Sequence, residues 1–101
     1  MLQAQIYIDR EDLHGTQPAF EFIMSFLIRH GIKGATLFKA MMGFGRNHRL
    51  QRPEELFSFD EPPLMITFID NEETVKNALR LLRKEFTGGL IITHRVDLFE
   101  A

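Results

Sequence analysis

The sequence predicts an α+β domain whose elements follow the order β-α-β-β-α-β. Residues 2–8 alternate between apolar and polar side chains, which is the pattern of a half-buried strand. Two later stretches carry apolar residues at helical spacing, and Gly31 and the pair Gly88-Gly89 stand where these helices should end. This order is that of the ferredoxin-like fold, in which both helices cover one face of an antiparallel sheet.

Composition narrows the class of protein. A length of 101 residues predicts one domain over residues 1–101, and an apolar fraction of 45% is ordinary for a globular chain. The net charge of −2 argues against general nucleic-acid binding, which needs a basic surface. Cysteine is absent from the sequence, which removes disulfides and thiol chemistry. With no signal peptide and no apolar run of membrane-spanning length, we expect a cytoplasmic protein.

The first strand is expected over Leu2–Ile8, a polar loop over Asp9–Gln17, and a helix beginning near Pro18. Spacing of i, i+3, i+4 and i+7 predicts the core face of this helix as Phe20, Ile23, Met24 and Leu27. Phe22 and Phe26 then fall on the opposite side, one turn apart. They indicate either a contact surface or a patch partly covered by neighbouring loops.

The stretch Gly31–Arg46 carries the clearest chemistry. Lys33–Met42 is an apolar run of strand length, and Gly43-Phe44-Gly45 follows it. Glycines allow positive φ, so the backbone here can turn successive N–H groups toward an anion. Arg46 adds a planar fork of donors suited to phosphate or carboxylate. A plain turn or bulge at the end of the strand is the alternative interpretation.

A basic segment follows, with His48, Arg49 and Arg52 after Arg46. It is either a mobile basic loop or a loop that binds an anion or a protein partner. Glu54–Phe59 fits a short strand and a turn equally well.

The second half predicts a strand over Leu64–Ile69 and a helix capped by Asp70 or Asn71, with acidic residues in its first turn. The buried stripe of this helix is Val75, Ala78, Leu79, Leu82 and Phe86. A last strand covers Leu90–Phe99. One of its faces carries Leu90, Ile92, Val96 and Leu98, together with His94, which we expect to be a partly buried structural histidine.

We expect the second face of the sheet to be covered and not exposed to solvent. It carries Gln5, Tyr7, Met65, Thr67 and Ile69. This mixture is too apolar for a solvated surface and too polar for a core, so we expect other copies of the chain to cover it.

Several spaced motifs resemble the uncharacterised PII-like family known as domain of unknown function 190. They are Gly31-Ile32-x-Gly34-Ala35-Thr36 and Gly43-Phe44-Gly45, with Pro18-x-x-Glu21 before them and Gly89-Leu90-Ile91 after them. The resemblance runs from Ile6 to Val96. It implies a PII-like homotrimer that binds adenine nucleotides in clefts between subunits and signals through a loop after the second strand.

By this resemblance, one side of the cleft would contain Thr36, Gly43, Phe44, Gly45 and Arg46. A neighbouring subunit would supply Gly88, Gly89 and Leu90. The expected effector is ATP, ADP or AMP, with no cofactor. Residues 47–59, with His48, Arg49 and Arg52, would form the signalling loop that meets a protein target, such as a membrane transporter or channel.

Four other functions compete with this reading. Catalysis could use an Asp12/His14 acid–base pair, but the chain has no P-loop or Rossmann fingerprint. Metal handling, as in the related CutA proteins, would need a site shared between subunits, because four scattered histidines make a closed site within one chain improbable. RNA binding would need more stacking aromatics than Tyr7 on the first and third strands. A protein-interaction module without any ligand is the remaining alternative.

Overall fold

The computed structural model describes residues 1–42 and 63–100. Its elements are β1 (Leu2–Asp9), β2 (Leu13–His14), β3 (Gln17–Pro18), α1 (Ala19–Arg29), β4 (Thr36–Lys39), β5 (Pro63–Asp70), α2 (Glu72–Glu85) and β6 (Leu90–Arg95). None of the helices in these residues is long and apolar enough to cross a membrane.

Four strands form an antiparallel sheet in the order β4-β5-β1-β6. β1 is central, with Ile6 opposite Ile66 of β5 on one side and Ile91 of β6 on the other. The predicted α+β, ferredoxin-like fold is confirmed. The β2–β3 hairpin was not predicted, since the sequence indicated a loop over Asp9–Gln17. Gly15, at φ 63°, lets this segment turn back so that β2 pairs with β3.

The core lies between the sheet and the two helices. Alternation along β1 and β5 places one face of each strand against α1 and α2, as predicted. The buried side chains that these strands contribute are Leu2, Ala4, Ile6, Ile8, Leu64, Ile66 and Phe68. Asp70 is buried with them. Its carboxylate accepts hydrogen bonds from the backbone N–H of Asn71 at 2.8 Å and of Lys33 at 3.3 Å.

The predicted core face of α1 is confirmed at Ile23 and Leu27, which are buried, and is wrong at Phe20 and Met24. Phe22 and Phe26 are 7% and 2% exposed, whereas Phe20 and Met24 are partly buried. The helix buries the stripe Ala19, Phe22, Ile23, Phe26 and Leu27, which also has helical spacing. The β2–β3 hairpin decides between the two stripes, because the His14 ring stacks on Phe22 with centroids 3.6 Å apart. Phe22 and Phe26 are therefore covered within the chain and form no contact surface.

Gly31 ends α1 as predicted. With Gly31 at φ 84°, the N–H of Ile32 donates to the Leu27 carbonyl at 3.0 Å and that of Gly31 donates to Ile28 at 3.3 Å. These two bonds are the Schellman pattern. The strand expected over Lys33–Met42 is shorter, since Lys33 bonds to Asp70 and the chain joins the sheet at Thr36.

α2 and β6 complete the layer. Asn71 is the N-cap of α2, and the predicted residues Val75, Ala78 and Leu82 are buried, with Phe86 buried directly after the helix. Leu79, also predicted for this stripe, is partly buried. The strand predicted over Leu90–Phe99 is shorter, because β6 ends at Arg95. The register places Ile91 opposite Ile6, so Ile91 packs on the core.

The face of β6 that carries Leu90, Ile92 and His94 therefore points away from the helices. All three residues are exposed, and His94 is not the partly buried histidine that we predicted. An apolar pattern alone does not tell which face of a strand packs on the helices, because both faces of β6 carry apolar residues.

Candidate functional site

The sheet presents an open face on the side away from α1 and α2, and we call this surface the open sheet face. The register places the five residues predicted for it here, together with Gln3 of β1 and further side chains from both edge strands. Its members are Gln3, Gln5, Tyr7, Thr36, Phe38, Met65, Thr67, Ile69, Leu90, Ile92 and His94. Phe38 is 51% exposed and Leu90 60%, so large apolar area meets solvent in the isolated chain.

One end of the open sheet face is polar. The Gln3 side-chain amide donates to Thr67 Oγ1 at 3.0 Å, and the Thr67 hydroxyl donates to the Ala4 carbonyl at 3.1 Å. Thr36 lies opposite Thr67 on the edge strand β4. These residues border a shallow depression of about 350 Å³.

The other end is apolar. The register aligns Phe38, Met65, Tyr7 and Leu90 in one row across all four strands. A depression of about 450 Å³ lies over part of this row, within the usual volume of ligand pockets. It is lined by Tyr7, Phe38, Lys39, Ala40, Met42, Pro63, Leu64 and Met65. Met42, which lines this depression, is the residue directly before Gly43, the first of the predicted Gly43-Phe44-Gly45 ligand residues.

The turn Thr87–Gly89 closes the same end of the sheet at the β6 edge. Gly89 has φ 72°, and a Cβ atom there would stand 2.7 Å from the Tyr7 carbonyl oxygen and 2.8 Å from Ile8 Cγ2. The Arg83 guanidinium donates from Nη1 to the Gly88 carbonyl at 2.6 Å and from Nη2 to that of Gly89 at 3.3 Å. A close backbone approach and a charged side chain therefore both hold this turn.

The predicted site residues fall into separate groups. Thr36 lies on edge strand β4, whereas Gly88, Gly89 and Leu90 lie at the opposite edge, beside β1. Three strand spacings, about 14 Å, separate β4 from β6. One chain does not bring these groups together, so a cleft that contains both needs a second copy. The remaining predicted residues lie outside the described part of the chain, namely Gly43, Phe44, Gly45, Arg46, His48, Arg49 and Arg52.

Sequence reasoning missed three features of this end of the molecule. Phe38 was assigned to a strand but not to a face, although its separation of two residues from Thr36 places both on one side. The apolar depression depends on the register between β4 and β5, which no local pattern specifies. The contacts of Arg83 had a weak signal, a basic residue in the last turn of a helix just before a pair of glycines.

Asp12 and His14, the pair considered for catalysis, each make contacts with other residues of the chain. Asp12 Oδ2 accepts a hydrogen bond from the Asp9 backbone N–H at 3.1 Å, and the His14 ring stacks on Phe22. In residues 1–42 and 63–100, no three histidine or carboxylate side chains come close enough together to hold a metal ion.

Glu72, at the start of α2, has the clearest electrostatic perturbation in this part of the protein. Its carboxylate lies 2.9 Å from Lys76 Nζ and 3.2 Å from Arg95 Nη2. Hydrogen bonds from these two cations lower the Glu72 pKa below its ordinary value of 4.5. The cluster ties β6 to α2 at the end of the sheet opposite the Thr87–Gly89 turn, so its role is structural.

Comparison with known proteins now identifies the family. Residues 1–98 match the sequence profile of DUF190, which is described as an uncharacterised ACR. The chain belongs to the DUF190 family. A DUF190 relative, the UPF0166 protein of Aquifex aeolicus (strain VF5), is 25% identical over 95 residues, which cover 93% of this chain and 89% of the relative. The resemblance seen in the sequence motifs is confirmed.

Solved structures show the same fold. CPII of Thiomonas intermedia K12, a nitrogen regulatory PII-like protein bound to ADP, AMP and bicarbonate, superposes with a TM-score of 0.65 at 24% identity. This comparison covers 92% of our DUF190 chain and 82% of CPII. CPII bound to ADP, AMP and acetate superposes with a TM-score of 0.67 at 22% identity, covering 98% and 88%. The DUF190 chain thus has a PII-like fold.

Proposed function

We propose that this protein is a non-enzymatic, PII-like regulatory protein that binds an adenine nucleotide in clefts between copies of the chain. It acts as a homotrimer in the cytoplasm and reports to a protein target through the segment after Gly45. Two half-sites at one end of the sheet carry this proposal. They are the apolar depression beside β4 and the glycine turn before Leu90.

The two half-sites support a site between copies because of where they lie. Both are at the end of the sheet where β1 and β4 finish and β5 and β6 begin, yet they are on opposite edges. A neighbour that places its β6 edge beside β4 would bring the glycine turn to the depression. The same packing would cover exposed apolar residues of the open sheet face.

An adenine nucleotide suits the chemistry of these parts. Tyr7, Phe38 and Met65 offer apolar walls for a base, and Lys39 at the rim carries a positive charge. Arg46, next to two glycines, offers donors for phosphate. CPII, which shares the fold, was solved with ADP and AMP. An effector of this type would bias the conformation of the segment after Gly45 and so change its affinity for the target.

Isothermal titration with ATP, ADP, AMP and cyclic AMP tests the proposal, with the mass in solution measured alongside. We expect a trimer that binds at least one nucleotide near micromolar Kd, about −8 kcal/mol. Arg46→Gln should weaken binding, whereas Arg80→Gln, an equal loss of charge on the exposed face of α2, should not. A chain that binds none of the four nucleotides contradicts the proposed effector.

A ligand-independent interaction module is the second candidate. The exposed apolar side chains of the open sheet face favour it, because such a surface can bind a different protein as well as a second copy. A monomer that binds no nucleotide would support this candidate. Steady conversion of ATP to ADP, lost in His14→Ala, would instead show an enzyme.

A further inference from the structure

The side chain of Arg83 makes an unusual set of contacts. It projects from the last turn of α2 and is half-buried, and its guanidinium meets three backbone carbonyls of the chain that follows. Nη1 lies 3.4 Å from the Phe86 oxygen and 2.6 Å from the Gly88 oxygen, and Nη2 lies 3.3 Å from the Gly89 oxygen. One side chain thus orients three of the four peptide groups between Phe86 and Leu90.

This orientation also fixes where the amides point. The peptide bonds are trans, so each N–H is directed opposite to the carbonyl of the same peptide group. Because the carbonyls of Phe86 and Gly88 point at Arg83, the N–H groups of Thr87 and Gly89 point away from it. The positive φ of Gly89 makes this backbone path possible, since a residue with a side chain would be strained there.

The backbone N–H groups of Thr87 and Gly89 could bind an anion. In residues 1–42 and 63–100, neither the Thr87 nor the Gly89 N–H donates a hydrogen bond to the protein. Backbone amides of a glycine turn that have no partner within the protein can attract phosphate oxygens. The guanidinium behind the turn adds a positive charge close to the same place.

We propose that Arg83 is a positioning residue for the phosphate end of the nucleotide. Its role is to hold the turn, because three of its five N–H donors are engaged by backbone carbonyls. It holds the Thr87–Gly89 turn so that two backbone N–H groups are presented to an anion. This inference rests on the proposed function and adds a residue that the motifs did not indicate.

A purely structural role is the alternative, because a basic residue at a helix C-terminus commonly bonds to nearby carbonyls and interacts favourably with the helix dipole. The two roles differ in what they change. A structural role would alter the stability of the fold without altering binding by the folded protein. A positioning role would alter nucleotide binding and the environment of the Gly89 amide together.

The test compares Arg83→Gln, Arg83→Lys and the control Arg80→Gln with the unmodified protein. ADP titration gives the Kd of each, thermal unfolding gives the stability, and ¹H–¹⁵N spectra follow the Thr87 and Gly89 amides. We expect Arg83→Gln to raise the Kd for ADP by about tenfold or more. Arg83→Lys should recover part of the affinity because it keeps the charge but lacks the fork. Arg80→Gln should stay within about twofold, since its side chain is exposed.

Spectra provide the readout that a structural role would not move. ADP should shift the Thr87 and Gly89 amides in the unmodified protein and in Arg80→Gln, and these shifts should be lost in Arg83→Gln. If Arg83→Gln unfolds, Arg83→Lys serves in its place, with a smaller loss expected. Undiminished ADP binding by either folded Arg83 variant overturns the role of Arg83 alone. Absence of ADP binding by the unmodified protein overturns this proposal and the proposed ADP effector together.

Discussion

Gly89 approaches Tyr7 so closely that a Cβ atom on the glycine would stand 2.7 Å from the tyrosine carbonyl oxygen. Tyr7 is on the central strand and its side chain lines the apolar depression, so the glycine turn and the depression share one residue. Any change that pushes Gly89 away from β1 therefore acts on both parts of the candidate site.

Gly89→Ala is expected to destabilise the protein by at least about 1–2 kcal/mol, the usual strain of a side chain in the left-handed region. The contact with Tyr7 should add to this strain. Gly34→Ala is the matched control, because a Cβ there would meet nothing within 4 Å and its φ is not positive. Urea unfolding measures both changes, and equal stability of the two variants would contradict the geometry of the turn.

Phe26→Ala is expected to cost about 3–5 kcal/mol, because it empties a site that is 2% exposed between α1 and the sheet. Ile28→Ala, two residues along and 75% exposed, should change stability by less than about 0.5 kcal/mol. The free energy of unfolding decides between this buried stripe and the one through Phe20 and Met24. A small effect at Phe26 would restore the original sequence interpretation.

Glu72 is expected to make the free energy of unfolding depend on pH. Because Lys76 and Arg95 lower its pKa in the folded protein below the ordinary value of 4.5, its stabilising contribution is complete above that pH. The contribution is lost as the pH falls from 4.5 through the folded pKa. Thermal unfolding of Glu72→Gln should therefore differ from the unmodified protein at neutral pH and converge with it in acid.

Glu73→Gln is the control for this experiment, since Glu73 is the next residue and is exposed. It should show less difference from the unmodified protein at neutral pH. Added salt should also shrink the effect of Glu72→Gln, because the ion pairs are at the surface. A pH-independent difference for Glu72→Gln would mean that its ion pairs contribute nothing to stability.

Ile92→Asp tests the proposed association through the open sheet face. Ile92 is 40% exposed in the isolated chain, so the fold should tolerate a carboxylate there. A charge buried between copies would lack a partner, and we expect the trimer to dissociate to monomers. Light scattering gives the mass, and Ile28→Asp on the helical side should leave it unchanged. A trimer that survives Ile92→Asp would place the interface elsewhere.

Sequence reasoning reached the fold because the fold depends on local signals. The alternation in residues 2–8, the glycine at position 31 and the apolar stripe of α2 each specify one element, and few topologies accommodate their order. It failed where two local patterns were equally good. Both stripes of α1 have helical spacing, and the stacking of His14 on Phe22 decides between them.

The candidate site depends on long-range pairing, and this limits what sequence can show. The row from Phe38 to Leu90 joins residues from four strands, which a shift of one residue in register would disperse. The motif glycines could be found from their spacing, whereas the depression and the contacts of Arg83 required coordinates. The predicted residues from Gly43 to Arg52 lie outside the described part of the chain and stay a prediction.

The central position of β1 also determines the order in which this protein can fold. β1 precedes the other described strands along the chain, whereas both of its neighbours come after residue 60, and Leu2 pairs with Asp70 and Arg95. Such distant pairings are slow to form, because a long loop must close before any contact repays its entropy. A growing chain thus leaves both hydrogen-bonding edges of β1 unpaired until β5 has been made, and one of them until β6 has been made.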